Sequence, residues 1–155
     1  MRMLIIFLVL ITTGSRGQDA NPASREPAGA DSAARQDVDS PASKAGALFR
    51  TAERGIISAD FDALAPSFGK QVSMTIRGSE SGYFSSAQAV TILRNYFSSR
   101  KTLQFSFTRV NESATHPYAT GRLDFEVRGS KESVQVYVSV ARQDSLWVIS
   151  QFNIY

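Results

Sequence analysis

The sequence predicts an α+β fold with its helices ahead of most of its strands. Three observations carry this. Apolar residues recur at offsets of three and four between Ala45 and Ile56, and again between Ala89 and Phe97. From Leu103 to the last residue the period switches to two, through four successive stretches. Short polar or glycine-bearing turns separate those stretches, so the strands follow one another as hairpins. One face of such a sheet must cover the helices, which is the α+β arrangement.

The first residues read as a secretion signal ahead of the folded part. Arg2 supplies a positive start, and Met3 to Ile11 is an unbroken apolar run. That run is too short for a membrane span of ~20 residues but has the length of a signal's apolar core. Ser15 and Gly17 are small residues at cleavage-site spacing. Residues 1–17 therefore read as a signal peptide, and the protein as exported, periplasmic or secreted. An uncleaved anchor is the alternative. Residues 18–43 hold two arginines against five acids, one large aliphatic residue (Val38) and no aromatic. So little apolar surface cannot offset the entropy of ordering, and the stretch reads as a disordered linker. The folded domain takes residues 44–155, with no transmembrane segment left once the signal is removed.

Ser40 is placed to cap the first helix, with Pro41 at its first position. Ala45, Leu48, Phe49, Ala52 and Ile56 form its apolar stripe, and Gly55 weakens its last turn. In "DFDALAPSF" Asp60 caps a second, short helical turn that Pro66 stops. "KQVSMTIRG" (70–78) is a half-buried strand, with Val72, Met74 and Ile76 on one side. In "GYFSSAQAVTILRNYF" Ser85 and Gln88 have the spacing of a capping box, and Phe84 and Ala89 that of a hydrophobic staple. Ala89, Leu93, Tyr96 and Phe97 then face the sheet, and Arg100 and Lys101 close the helix where its dipole favours cations. Tyr83 and the amides at the helix start are left available to an anion.

The strands come next. "TLQFSFTRV" places Leu103, Phe105 and Phe107 on one face. "YATGRLDFEV" sets Ala119, Gly121, Leu123, Phe125 and Val127 against Thr120, Arg122, Asp124 and Glu126. "SVQVYVSV" alternates four valines, Val134 to Val140, and "RQDS" (142–145) is a tight turn. "LWVISQFNIY" puts Leu146, Val148, Phe152 and Ile154 on one face and Trp147, Ile149 and Tyr155 on the other. "NESATHP" (111–117) and Gly129 supply the remaining turns.

This order, with "GIISADFDALAPSF", "YFSSAQAVTILRNYF", "YATGRLDF" and "VQVYVSVARQDSLWVISQFNIY", resembles the nuclear transport factor 2-like superfamily. More narrowly, it looks like a family of short exported bacterial proteins, domain of unknown function 4783. The resemblance covers roughly residues 44 to 155. It implies a strongly bent antiparallel sheet that wraps the long helix and leaves a conical cavity. It implies an exported location and no established activity.

Several chemistries are excluded. The chain has no cysteine and one histidine, His116. Disulfides, thiolate chemistry and a multi-histidine metal site within one chain are therefore out. Neither G-x-x-x-x-G-K nor G-x-G-x-x-G occurs, so no phosphate loop is present. Residues 44–155 hold 13 basic groups against nine acidic ones, scattered, which argues against nucleic-acid binding. No cofactor or metal is predicted.

Enzymes of the resembling superfamily, dehydratases and ketosteroid-type isomerases, use a carboxylate or an Asp/His pair inside the cone. Asp60, Asp62, Asp124 and Glu126 are the carboxylates to consider. Capping explains the first two, and a polar strand face the other two. His116 sits in a turn. No catalytic residue is predicted, and a lyase- or isomerase-like enzyme stands as the alternative reading. Phe49, Met74, Tyr96, Phe105, Phe107 and Phe125 are the pocket candidates: they line a cavity for a small apolar ligand, or they are ordinary core. Tyr96 stands out because a buried hydroxyl needs a partner. Trp147, Ile149 and Tyr155 form a patch for a homodimer through the outer sheet face. The expected function is that of an exported, non-catalytic module that binds a small apolar ligand or a protein partner.

Overall fold

The computed structural model describes residues 41–113 and 115–155. The signal peptide, residues 18–40 of the linker and the Ser40 cap lie outside the described residues. Helix α1 (Pro41–Ser58) starts ahead of the expected domain boundary at 44. Ala45, Phe49, Ala52 and Ile56 are buried along it, as their spacing requires. Gly55 has a packing role as well as a propensity cost. A Cβ there would lie 2.7 Å from the Leu64 side chain, so glycine lets Leu64 pack directly on the helix. Ala59 ends the helix in the left-handed conformation, φ 54°. Asp60 Oδ1 then accepts the Ala63 amide at 3.2 Å, the expected cap. Pro66 does not stop this turn. It sits inside a 3₁₀ helix, Ala65–Ser67, at an early position that needs no N–H.

Strand β1 (Phe68–Ile76) carries Val72, Met74 and Ile76 into the core. A strand missing from the sequence reading follows it: β2 (Ser81–Phe84) pairs antiparallel with β1, from Val72 opposite Phe84 to Thr75 opposite Ser81. Four residues containing a glycine are too short for alternation to show. Helix α2 (Ser86–Phe97) begins with the expected capping box: Gln88 Oε1 accepts the Ser85 amide at 2.9 Å, and Ser85 Oγ accepts the Gln88 amide. Ala89, Val90, Leu93, Tyr96 and Phe97 are its buried residues.

Strands β3 (Lys101–Asn111), β4 (Tyr118–Val127), β5 (Ser130–Gln143) and β6 (Leu146–Ile154) form an antiparallel meander. Its turns at Arg128–Gly129 and Asp144–Ser145 both have positive φ at both residues, the backbone that two-residue hairpins favour. The sheet order is β2-β1-β6-β5-β4-β3. It is not wholly antiparallel, because β1 runs parallel to β6. The meander returns the last strand alongside the first in the same direction. The two end strands, β2 and β3, do not pair, so the curled sheet stays unclosed. α1 packs against β3 and α2 against β1, and one core fills the space between sheet and helices. No helix among the described residues is long and apolar enough to cross a membrane.

Two irregularities overturn side-chain placements read from alternation. In β3, Thr102 lies opposite Phe125 and Gln104 opposite Asp124, so Leu103 is an extra, unpaired residue. This bulge takes Leu103 off the face of Phe105 and leaves it 42% exposed. In β6, Gln151 lies opposite Ser139 but Ile149 opposite Val140, so Ser150 is extra. The phase is reset there: Ile149 is buried, Trp147 packs against the core, and Leu146 is exposed. The expected outer patch of Trp147, Ile149 and Tyr155 therefore does not form; of the three, only Tyr155 is exposed.

Candidate functional site

The concave side is densely occupied. Phe49, Met74, Tyr96, Phe105 and Phe125 are buried, at 1–5% exposure, and Phe107 is half-buried against them. Phe107 meets the ring of Phe49 at 6.0 Å and that of Phe105 at 5.0 Å, both edge-on. Tyr96 meets Phe125 edge-on at 6.4 Å. These are the offset geometries in which aromatic rings pack favourably. The surface clefts described below are lined by none of the six.

Tyr96 lies beneath Arg100. The guanidinium carbon stands 4.0 Å above the Tyr96 ring and 5.7 Å from the Phe125 ring, and Arg100 Nη1 donates to the Tyr96 carbonyl at 2.6 Å. Burial pushes the Tyr96 phenol above its usual range, while the charges of Arg100 and Arg77 pull the other way. Arg100 Nε is buried with no partner among the described residues.

The four carboxylates considered for acid–base chemistry stay out of this interior. Asp60 caps its turn, and exposed Asp62 pairs with Arg94. Asp124 and Glu126 flank inward-facing Phe125 and so lie on the opposite face of β4. His116 is exposed in the β3–β4 turn. One carboxylate that sequence reasoning missed comes closer: Glu53 Oε1 on α1 accepts the Phe107 amide at 3.3 Å. That amide adjoins a second extra residue in β3, Thr108, between the pairs Phe107–Gly121 and Arg109–Thr120. A bulge frees an amide from the ladder, and Glu53 satisfies it.

At the start of α2, Tyr83 is 76% exposed on the edge strand. The Gln88 amide is already taken by Ser85. A cleft of about 470 Å³ lies beside it, between Phe84 and the Gln88, Thr91, Ile92 and Asn95 side of α2.

The convex face is different in kind. Strand register sets Gln104, Asp124 and Ser133 in one row, and Ser106, Arg122 and Gln135 in the next. Beyond these come Thr120, Tyr137 and Asn153, then Tyr118, Ser139 and Gln151. Tyr118 and Tyr137 stack at 5.8 Å and 17°. Asn153 is buried with both ends of its amide bonded: its Oδ1 accepts the Thr75 amide at 2.9 Å, and its Nδ2 donates to the Tyr155 hydroxyl at 2.8 Å.

At the middle of this face is a three-residue cluster. Arg122 donates from Nε to Asp124 Oδ1 at 3.0 Å and from Nη2 to Ser133 Oγ at 2.9 Å. Ser133 Oγ in turn donates to Asp124 Oδ1. The bonds from Ser133 and Arg122 hold the Asp124 carboxyl below the usual carboxylate range. A cleft of about 340 Å³ opens on one side, with Thr108, Gln135 and Tyr155 in its walls. A second, of about 390 Å³, opens on the other, with Leu103, Gln104, Lys131 and Glu132. Arg122 and Ser133 line both. The group that Ser133 Oγ bonds is Asp124, a carboxylate held below its usual range and so a weak base, while His116 lies in the turn beyond the far end of β4. Among the described residues no three His, Asp or Glu side chains gather to hold a metal ion.

A curled, unclosed six-stranded sheet wrapped around two helices gives the chain the nuclear transport factor 2-like α+β fold. It belongs to the family described as domain of unknown function DUF4783, whose match takes in residues 49–155. Solved structures bear out the fold. A DUF4783 family protein from Bacteroides uniformis superposes with a TM-score of 0.60 at 16% identity, over 68% of this chain and 93% of that one. An NTF-2 like protein of unknown function from Shewanella oneidensis gives 0.53 at 15% identity, over 74% and 98%. An LEH-like epoxide hydrolase from M. tuberculosis gives 0.56 at 12% identity, over 72% and 81%. At such identities the likeness is one of fold alone. No curated protein matches the chain.

Proposed function

We propose that the chain is an exported, non-catalytic recognition module that works through the convex face of its sheet. One contrast carries this reading. On the concave side the aromatics are buried and pack edge-on against one another, whereas the convex side presents tyrosines, hydroxyls and amides around two clefts. Tyrosines offer broad contact area at small entropic cost, and Ser, Thr and Gln adapt their hydrogen bonds to what they meet. The enzyme reading draws on fold analogy alone, a weak warrant. Its four carboxylates lie outside the interior, and Glu53 is occupied by a backbone amide. Export is supported by the Met3–Ile11 run behind Arg2. N-terminal sequencing of the processed chain, expected to begin at Gln18, checks it.

Native mass spectrometry and an apolar fluorescent dye test which side does the binding. The purified chain is expected to show its bare mass and no saturable dye uptake. A co-purifying apolar molecule, or saturable dye binding by the folded chain, would return the function to the cone and to the six aromatic candidates.

A further inference from the structure

The convex-face reading leaves open what is recognised, and the following inference rests on that reading. We propose that the groove over β3, β4 and β5, centred on Arg122, Asp124 and Ser133, is a binding site for a neutral carbohydrate.

The cluster's internal bonds leave some of its polar atoms unused. Arg122 spends Nε and Nη2 inside the cluster, and Asp124 spends Oδ1. No described residue bonds to Arg122 Nη1 or Asp124 Oδ2. The cluster therefore offers one guanidinium donor and one carboxylate acceptor, with no net charge. A pair of vicinal hydroxyls has the matching character, since each hydroxyl both donates and accepts. Charge-assisted hydrogen bonds are the strong kind, and both offered groups are charged although their sum is zero. The internal bonds also fix the guanidinium and the carboxylate, which lowers the ordering cost of binding.

The surroundings fit the same ligand class. In the first cleft Arg122 and Ser133 are joined by the Gln135 amide, the Thr108 hydroxyl and Tyr155, a residue 53% exposed. An exposed ring gives the apolar face of a sugar a surface to lie on. In the second cleft Lys131 and Glu132 offset one another in charge, and Gln104 adds a neutral amide. Arg122, the one charged side chain lining the first cleft, is paired with Asp124, and the second cleft sets Arg122 and Lys131 against Asp124 and Glu132, so a bound anion would find little unpaired positive charge. Because Arg122 and Ser133 line both clefts, the two adjoin at the cluster, and a short oligosaccharide that reaches both suits them better than a single sugar.

The test is amide-resolved NMR titration of the purified chain with neutral oligosaccharides built from glucose, mannose, galactose and N-acetylglucosamine. Saturable shifts are expected in residues 104–108, 120–124, 133–135 and at Tyr155 for at least one of them. Affinity should fall at least about tenfold in Arg122→Ala, Asp124→Ala and Arg122→Lys, because lysine keeps the charge but loses the planar fork. Raising the salt concentration should change it little, as the ligand is uncharged. Unchanged circular dichroism and melting temperature in these exposed-site variants confirm that they fold. Binding retained in Arg122→Lys and weakened by salt would mean an anion site and overturn the proposal. No shifts with any sugar, together with a dimer by light scattering whose interface covers β4 and β5, would give the face to a second copy; the carbohydrate proposal would fall and the convex-face reading survive. Shifts confined to the aromatic interior would sink both.

Discussion

Burial acts on Tyr96 through a single atom, its hydroxyl. The sequence marked this residue because a phenol in an apolar stripe needs a partner. Arg100 covers the Tyr96 ring and bonds its backbone carbonyl, although its place after the helix had an adequate reading as a dipole-closing cation. Burial raises the phenol's pKa above the ordinary 10.0 in the folded chain. The protonated form is thus favoured by folding. Its stabilising effect is complete below about pH 10 and is lost as pH rises through the folded value. A Tyr96→Phe variant should therefore lose less stability than the parent as pH is raised from about 9 to about 11, followed by urea melts. An equal loss in both would contradict the burial argument. Glu53 had no comparable mark. Its partner is a backbone amide freed by a bulge 54 positions away in sequence, and no local pattern announces that.

Elements were legible wherever a period ran long enough. Both helices, the Ser85–Gln88 cap and the inward rows of β4 and β5 follow from offsets of three and four or of two. What alternation cannot supply is its own phase after an interruption. One extra residue at Leu103 or Ser150 moves every later side chain to the other face, and neither residue type signals a bulge. The consequence is measurable. Leu103→Ser should cost less than about 0.5 kcal/mol, while Phe105→Ala should cost about 3–5 kcal/mol. Similar costs at both positions, by urea unfolding, would place Leu103 in the core after all. Strand β2 was missed for a different reason: four residues hold too few alternations to distinguish an edge strand from the approach to a helix.

At the scale of the molecule, one strand pair joins two halves. β1 and β2 attach to the meander through the parallel pairing of β1 with β6, and buried Asn153 ties that seam by accepting the Thr75 amide. Asn153→Ala leaves that amide without its acceptor, at an expected cost of about 1–3 kcal/mol. Hydrogen exchange of this variant should show β1 and β2 losing protection before β4 and β5 do. Uniform loss along the sheet would mean that the seam is not a separate unit of stability.

The sequence by itself determined the α+β class, the order of the helices and the meander, and the inward and outward rows of β4, including Arg122 and Asp124 on one face. These are local periodicities, and burial acts on them residue by residue. The tertiary structure alone decided that Ser133 stands beside that pair and Tyr155 near Arg122, that Ile149 points inward, and which aromatic rings meet edge-on. Those outcomes depend on register, bulges and the approach of distant strands, which no stretch of the chain encodes alone.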